Sequence, residues 1–185
     1  MVSLKHLTMA ELEAGLDEIL RSPKDEGILE MIVSRPRIGE RQVLAKGELH
    51  PLEGLVGDSW RTRGSSRTAD GSAHPDMQLN IMNSRVINLV TQSKDYWSLA
   101  GDQLYLDLDL SKENLPAGTR FALGTAVIEV TPQPHTGCQK FVARFGREAM
   151  KFVNSALGQQ LSLRGINAKV VEPGVIRVGQ LAKKV

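Results

Sequence analysis

Leu12, Leu16, Ile19 and Leu20 recur at helical intervals behind Thr8 and Glu11, whose spacing is that of a capping box. That pattern predicts an amphipathic helix over residues 9–21, ended by Ser22-Pro23. The β-branched run from Ile28 to Ser34 predicts a strand, Pro36 to Gly39 a turn, and Glu40 to Glu48 the returning strand of an antiparallel hairpin. Met77 to Met82 reads as a buried strand, with Asn83 or Ser84 capping a short helix that turns Val86, Ile87, Leu89 and Val90 inward. A further helical turn holds Tyr96 and Trp97, and the two tryptophans, Trp60 and Trp97, read as packing residues. Leu104, Leu106, Leu108 and Leu110 alternate with Asp107, Asp109 and other residues, the clearest period-two signal in the chain. Arg120 to Leu123 and Ala126 to Thr131 predict a hairpin about Gly124-Thr125. Phe145, Ala149, Phe152, Val153 and Ala156 share a helix face that Gly158 stops. Ala168 to Val171 and Val175 to Val178 flank Glu172-Pro173-Gly174, so the chain closes as strand, turn, strand. These elements predict an α+β, β-rich fold: a mostly antiparallel sheet curled into a barrel, with peripheral helices.

Composition narrows the class. At 185 residues the chain fits one core, and 41% hydrophobic with 24% charged residues is ordinary for a globular protein. A net charge of +2, with no dense basic run, argues against nucleic-acid binding and leaves small anionic ligands open. The first ten residues lack the apolar core of a signal peptide, and nothing approaches a membrane span. The single cysteine leaves no internal disulfide, which favours the cytoplasm. Between Gly54 and Pro75 the composition shifts to Gly, Ser, Thr, Arg and Asp, with Arg61, Arg63 and Arg67 the most basic stretch, and this reads as a functional loop. No Walker loop, dinucleotide-binding glycine pattern or nucleophile-elbow serine is present. His50 and His74 give no zinc-ligand spacing.

Chemistry concentrates at Cys138, which follows the constrained segment Pro132-Gln133-Pro134-His135-Thr136-Gly137 and precedes a helical stretch from Gln139 to Phe145. A thiol there is favoured as thiolate by the helix start and by Lys140, Arg144 and His135, and thiolate ligates metals or attacks electrophiles. The alternative is a small buried hydrophobe. The segment Thr131 to Phe141, continuing to Arg144-Phe145-Gly146, resembles the cysteine signature of MOSC domains, named for the C-terminal region of molybdenum cofactor sulfurases. Gly54-Leu55-Val56-Gly57-Asp58, Glu113-Asn114-Leu115 with Gly118 to Gly124, Arg164-Gly165, and Pro173 to Gly179 resemble further segments of that family in the same order, over roughly residues 28–181. Residues 1–27 then form a helical extension and 28–185 the MOSC domain.

The resemblance implies a MOSC-type β-barrel that binds a molybdenum-pterin cofactor, with Cys138 as metal ligand or sulfur carrier. A phosphate and a polar pterin call for fixed donors and positive charge, for which Asp58, Asn114, Lys140, Arg144 and Arg164 are the candidates, with Arg61, Arg63 and Arg67 nearby in sequence. Asn114 as turn former and Asp58 as Asx turn are the structural alternatives. His135 is a candidate proton donor, or a brace for its loop. The family analogy points to reduction of an N-hydroxylated or N-oxygenated small molecule, as a molybdenum-dependent oxidoreductase fed by a separate electron donor protein, since no flavin, haem or iron–sulfur motif is visible. A carrier of cofactor or sulfur on Cys138, and a metal-free enzyme with Cys138 as nucleophile, are the rival readings. Gln180 stands where the family's closing segment has Asp, and Ser59-Trp60 follows Asp58 where some members have a basic residue and histidine.

Overall fold

The computed structural model describes residues 4–185. The first three residues of the N-terminal extension lie outside them. Thr8 closes the expected capping box with Glu11 and starts α1 (Met9–Ala14), which continues past Gly15 into α2 (Leu16–Leu20). A side chain at Gly15 would collide with Leu89, so the bare backbone lets this helical pair lie against its neighbour.

Eleven strands follow: β1 (Glu26–Ser34), β2 (Gln42–Leu44), β3 (Lys46–His50), β4 (Gly54–Leu55), β5 (Leu79–Asn83), β6 (Leu104–Asp107), β7 (Arg120–Leu123), β8 (Ala126–Val130), β9 (Ile166–Glu172), β10 (Gly174–Arg177) and β11 (Leu181–Lys184). The large sheet runs β11-β7-β8-β9-β5-β6-β1-β2, and β11 also pairs with β1, which closes seven strands into a barrel. The returning strand predicted over 40–48 is split at Ala45: β2 stays on β1, whereas β3 leaves to join β10 and β4 in a small second sheet. β9 and β10 likewise part company across Pro173 instead of forming a hairpin. A short α3 (Trp60–Arg63) precedes β5, and one pair, β5 with β6, is parallel, because α4 (Ser84–Thr91) crosses between them.

Two apolar clusters account for the helix positions. Leucines and β-branched residues of the strands fill the barrel, while Leu12, Met82, Val86, Tyr105, Phe141, Phe145 and Phe152 pack between its outer wall and the helices. Tyr105 is therefore as buried as its neighbours Leu104 and Leu106, and the period-two signal there reports two covered faces. The helix of residues 139–156 departs from its sequence pattern. α5 (Gln139–Asn154) bends at Gly146, whose φ of 89° breaks the helical path against His6, and a new helix, α6 (Ala156–Gln160), starts on the Ser155 cap. Gly158 is thus a buried interior residue of α6 and not a stop; a β-carbon there would lie 2.4 Å from the Phe152 carbonyl. No helix among the described residues is long and apolar enough to cross a membrane.

Asn83 ties three of these elements together. Its Oδ1 accepts from the Arg85 amide at the start of α4, and its Nδ2 donates to Ser22 Oγ and to the Leu108 carbonyl, each at 2.8 Å. Asn83→Ala is expected to lower stability by about 2–3 kcal/mol, as a lost cap plus stranded buried partners, measured by urea unfolding.

Candidate functional site

The chemistry-bearing residues gather at one end of the barrel, around the segment Ala100 to Gln103 that leads into β6. On one side of it stands Arg35, just past the end of β1 and 4% exposed. Its guanidinium grips Asp58 with Nε and Nη2 at 2.9 Å, and Nη1 donates to Asn80 Oδ1 and the Gly101 carbonyl. Asp58 also accepts from the backbone amides of Arg35 and Trp60. A carboxylate has about four acceptor positions, and all are used inside the protein. Asp58 is therefore a buried counter-charge that holds Arg35 and the Gly57 turn. Asn80 passes the network to Asn167 at 2.6 Å, which donates to the Gln133 carbonyl.

Outside Arg35 lies a cleft of about 360 Å³ whose walls carry Arg35, Arg37, Arg41, Arg63, Lys140 and Arg144, and no carboxylate among the described residues that line it. Arg37, Arg41, Arg63 and Lys140 make no ion pair within the described chain. Arg41, half-buried, is pushed below the usual guanidinium range first by burial and then by the positive charge of Arg144 and Arg35, and its Nε has no partner. Arg144 is held by the Leu99 carbonyl. Like charges are thus packed together with one internal counter-ion, Asp58, already committed to Arg35. An anion is the ligand this field favours.

On the other side of the same segment, Arg164 donates through Nη1 to both oxygens of Asp102, at 2.9 and 2.7 Å, and through Nη2 to the Ala100 carbonyl, while its guanidinium lies 5.1 Å over the Phe141 ring. His135 Nδ1 lies 3.6 Å from Asp102 Oδ1, too far for a hydrogen bond. Burial, and then the Arg164 charge, lower the His135 pKa to about 3. It is a neutral imidazole at neutral pH. Arg164 and His135 face a second cavity, separate from the arginine cleft, of about 360 Å³.

Cys138 is exposed and stands on the chain between the two spaces: Pro132 to Thr136 line the cavity, Lys140 and Arg144 the cleft. Asn154 clamps the Gly137 peptide from both sides, accepting at 2.8 Å and donating at 3.1 Å, which fixes where the thiol begins. Of the residues singled out from sequence, Lys140 and Arg144 meet in the cleft, His135 and Arg164 meet at Asp102, and Arg63 joins the first group. Asn114 lines neither space. Its amide donates to the Lys24 and Asp109 carbonyls and accepts from Lys184 Nζ, tying the 109–115 loop to β11. Arg61 and Arg67 are exposed. Trp60 and Trp97 are buried packing residues. No cluster of three or more His, Cys, Asp or Glu placed to hold a metal occurs among the described residues. Sequence reasoning missed Arg35, Arg37 and Arg41; three arginines in seven positions were a signal, read there only as a hairpin turn. Asp102, Asn80 and Asn167 left no such mark.

Removing the cation of the buried pair is expected to be severe: Arg35→Met strands Asp58 and should cost about 3–5 kcal/mol, with part of the loss recovered in the double variant Arg35→Met/Asp58→Asn, both read from urea unfolding. His135 sets a pH dependence. Its folded pKa lies below its unfolded value near 6.5, so its contribution is complete above that value and is lost as pH falls from about 6.5 towards about 3. Unfolding midpoints at pH 7 and pH 4 should therefore fall further for the wild type than for His135→Gln.

Comparison with known proteins bears on this architecture. A family model, MOSC domain, matches residues 72–182. A search of the curated proteins finds no match. Among solved structures, the YuaD protein from Bacillus subtilis is similar over 86% of this chain and 95% of its own, with a TM-score of 0.61 at 16% identity. YiiM from Escherichia coli is similar over 85% of this chain and 69% of its own, with a TM-score of 0.54 at 22% identity. YiiM from Geobacillus stearothermophilus covers 86% and 75%, at 0.51 and 16%. These likenesses concern the fold, a barrel with peripheral helices. The family match covers more than half of the sequence, and its span takes in both the cysteine segment and the Arg164 segment, so the chain belongs to the MOSC domain family.

Proposed function

We propose that this protein binds a molybdenum-pterin cofactor at the arginine cleft, with Cys138 as the thiolate ligand of the metal. The observation that carries the reading is the cleft itself: six cationic side chains, no lining carboxylate, and an orphaned Arg41 Nε, with the exposed thiol of Cys138 two positions before the lining residue Lys140 in the chain. The residues present fit the group. Arg37, Arg41, Arg63 and Lys140 would hold its phosphate through charge-assisted hydrogen bonds, which planar guanidinium groups make in pairs. Cys138 supplies a soft donor, suited by analogy to such a metal. When bound, the cofactor supplies two-electron chemistry at molybdenum, and the reaction we propose is reduction of an N-hydroxylated or N-oxygenated small molecule, with electrons from a separate donor protein.

This chain's own part is positional. Arg35, locked by Asp58, and Arg144, locked by the Leu99 carbonyl, give the cleft a fixed floor and wall that need not reorganise when an anion arrives. The Asn154 clamp on Gly137 holds the cysteine loop. His135 is neutral, so it brings hydrogen-bonding capacity without a charge. The exposure of Cys138 also suits a second reading, in which the thiol carries sulfur or the cofactor is passed on to another enzyme.

Protein expressed in a host that makes the cofactor is expected to retain molybdenum, and Cys138→Ser to lose most of it, by elemental analysis. Unchanged metal content in Cys138→Ser would sink the ligand assignment. Lys140→Glu, at an exposed position, should lower cofactor retention at least about tenfold through loss of one charge-assisted contact and repulsion of the phosphate. Turnover of a hydroxylamino substrate with an artificial reductant then separates enzyme from carrier.

A further inference from the structure

Three guanidinium groups from different parts of the chain meet at one glycine peptide. Gly101 follows the helical turns Lys94–Ala100 with a φ of 89°, a left-handed conformation that favours glycine. Its carbonyl accepts from Arg35 Nη1 at 2.8 Å. The place of its missing side chain is open. Among the described residues beyond its chain neighbours, a β-carbon there would meet two atoms within 4 Å: Arg41 Nη2 at 3.5 Å and Arg144 Nη1 at 3.6 Å. Both cationic nitrogens thus stand within 3.6 Å of a single point, and each has an N–H to give. A guanidinium Nη carries two. Arg144 Nη1 uses one on the Leu99 carbonyl. Arg41 is held through Nη1 by the Glu40 carbonyl, which leaves Nη2 without a hydrogen bond and, unlike the sealed Nε, open to solvent.

The nearby carboxylates are already committed. Asp58 is taken by Arg35, and Asp102, next to Gly101 in the chain, gives both oxygens to Arg164. Two cations held close without a counter-ion repel each other, and an anion oxygen placed between them answers both with charge-assisted hydrogen bonds. Charge ranks the ligands further. Arg37, Arg63 and Lys140 line the same cleft, where no lining residue is a carboxylate, so the field favours a dianion over a monoanion. We propose that the space at Gly101 is a discrete oxyanion seat that takes a phosphate dianion, either free orthophosphate or the terminal phosphate of a larger ligand. Gly101 is its specificity-determining residue, since any side chain there would fill the place of the anion. The proposal rests on the reading of the cleft as an anion site, and not on Cys138 as a metal ligand. Orthophosphate therefore enters the seat in the cofactor-free chain and competes there with any phosphate-bearing ligand.

Orthophosphate titrated by calorimetry into the full, cofactor-free chain, at low ionic strength and mildly alkaline pH, tests this. Saturable binding in the micromolar to millimolar range is expected, with acetate at least about tenfold weaker. Arg41→Gln and Gly101→Ala should each weaken phosphate at least about tenfold. Gly179→Ala is the control for backbone strain, because Gly179 has a φ of 90° and a β-carbon there meets nothing within 4 Å. Arg67→Gln, at an exposed position outside the cleft, is the control for charge. Both should bind phosphate as the wild type does. So should Cys138→Ser, whose molybdenum content reports separately on the ligand assignment. Phenyl phosphate distinguishes the sources: binding as tight as that of orthophosphate marks the terminal phosphate of a larger ligand, and binding of orthophosphate alone marks the free ion. The assignment is overturned by no saturable phosphate binding, by equal binding of acetate, or by unchanged binding in Arg41→Gln or in folded Gly101→Ala. A loss in Gly179→Ala, Arg67→Gln or Cys138→Ser as large as in Arg41→Gln overturns it equally.

Discussion

Taking a charge out of water costs several kcal/mol unless a partner and enough hydrogen bonds replace the solvent, and at one end of this barrel four charged groups are taken out together. Arg35 with Asp58, and Arg164 with Asp102, are all less than a tenth exposed at the side chain. Each pair satisfies itself only if several loops stand in fixed places. Arg35 needs the Gly57 turn, Asn80 on β5 and the Gly101 carbonyl; Arg164 needs Ala100 and Asp102 of the same short segment. The Ala100 to Gln103 segment is thus gripped from both sides, and Gln103 completes the grip by bonding the Asn80 amide and the Gln78 carbonyl.

That arrangement separates two environments a few residues apart. On the Arg35 side the cations outnumber their counter-ions, and the surplus is displayed in a cleft. On the Arg164 side charge is balanced, and the unmet demand is for hydrogen bonds in an apolar space. Cys138 belongs to neither wall, and lies on the loop that joins them. Its setting therefore owes more to the Asn154 clamp and to the buried pairs beneath than to the kinked helix that follows it.

Local elements were legible where one physical signal dominated. The Thr8 capping box, the Asn83 cap of α4 and the hairpin about Gly124-Thr125 depend on neighbours a few residues away, and each formed as its spacing predicts. Elements whose end is set by a distant partner were not legible. Nothing within residues 40–48 says that Ala45 divides the strand between two sheets, since that is decided by β10, about 130 residues further on. Gly158 looks like a stop and is a close-packing residue, because only Gly fits beside the Phe152 carbonyl. β11 is too short and too charged to stand out, yet it closes the barrel against β1 and β7.

The same division holds for the site. By itself the sequence determined the family resemblance, the barrel class, and the neighbourhood of Cys138 with Lys140, Arg144 and His135, because these rest on residues adjacent in the chain. The tertiary structure alone decided that Arg35, Arg37 and Arg41 join Lys140 and Arg144, that Asp58 is a buried counter-charge, and that Asn114 braces β11. It also decided that Arg164 and His135 share Asp102 on a separate cavity. The physical reason is that a charge or a hydrogen-bonding group acquires its role from what desolvates it and what pairs with it, and here those partners come from strands far apart in sequence.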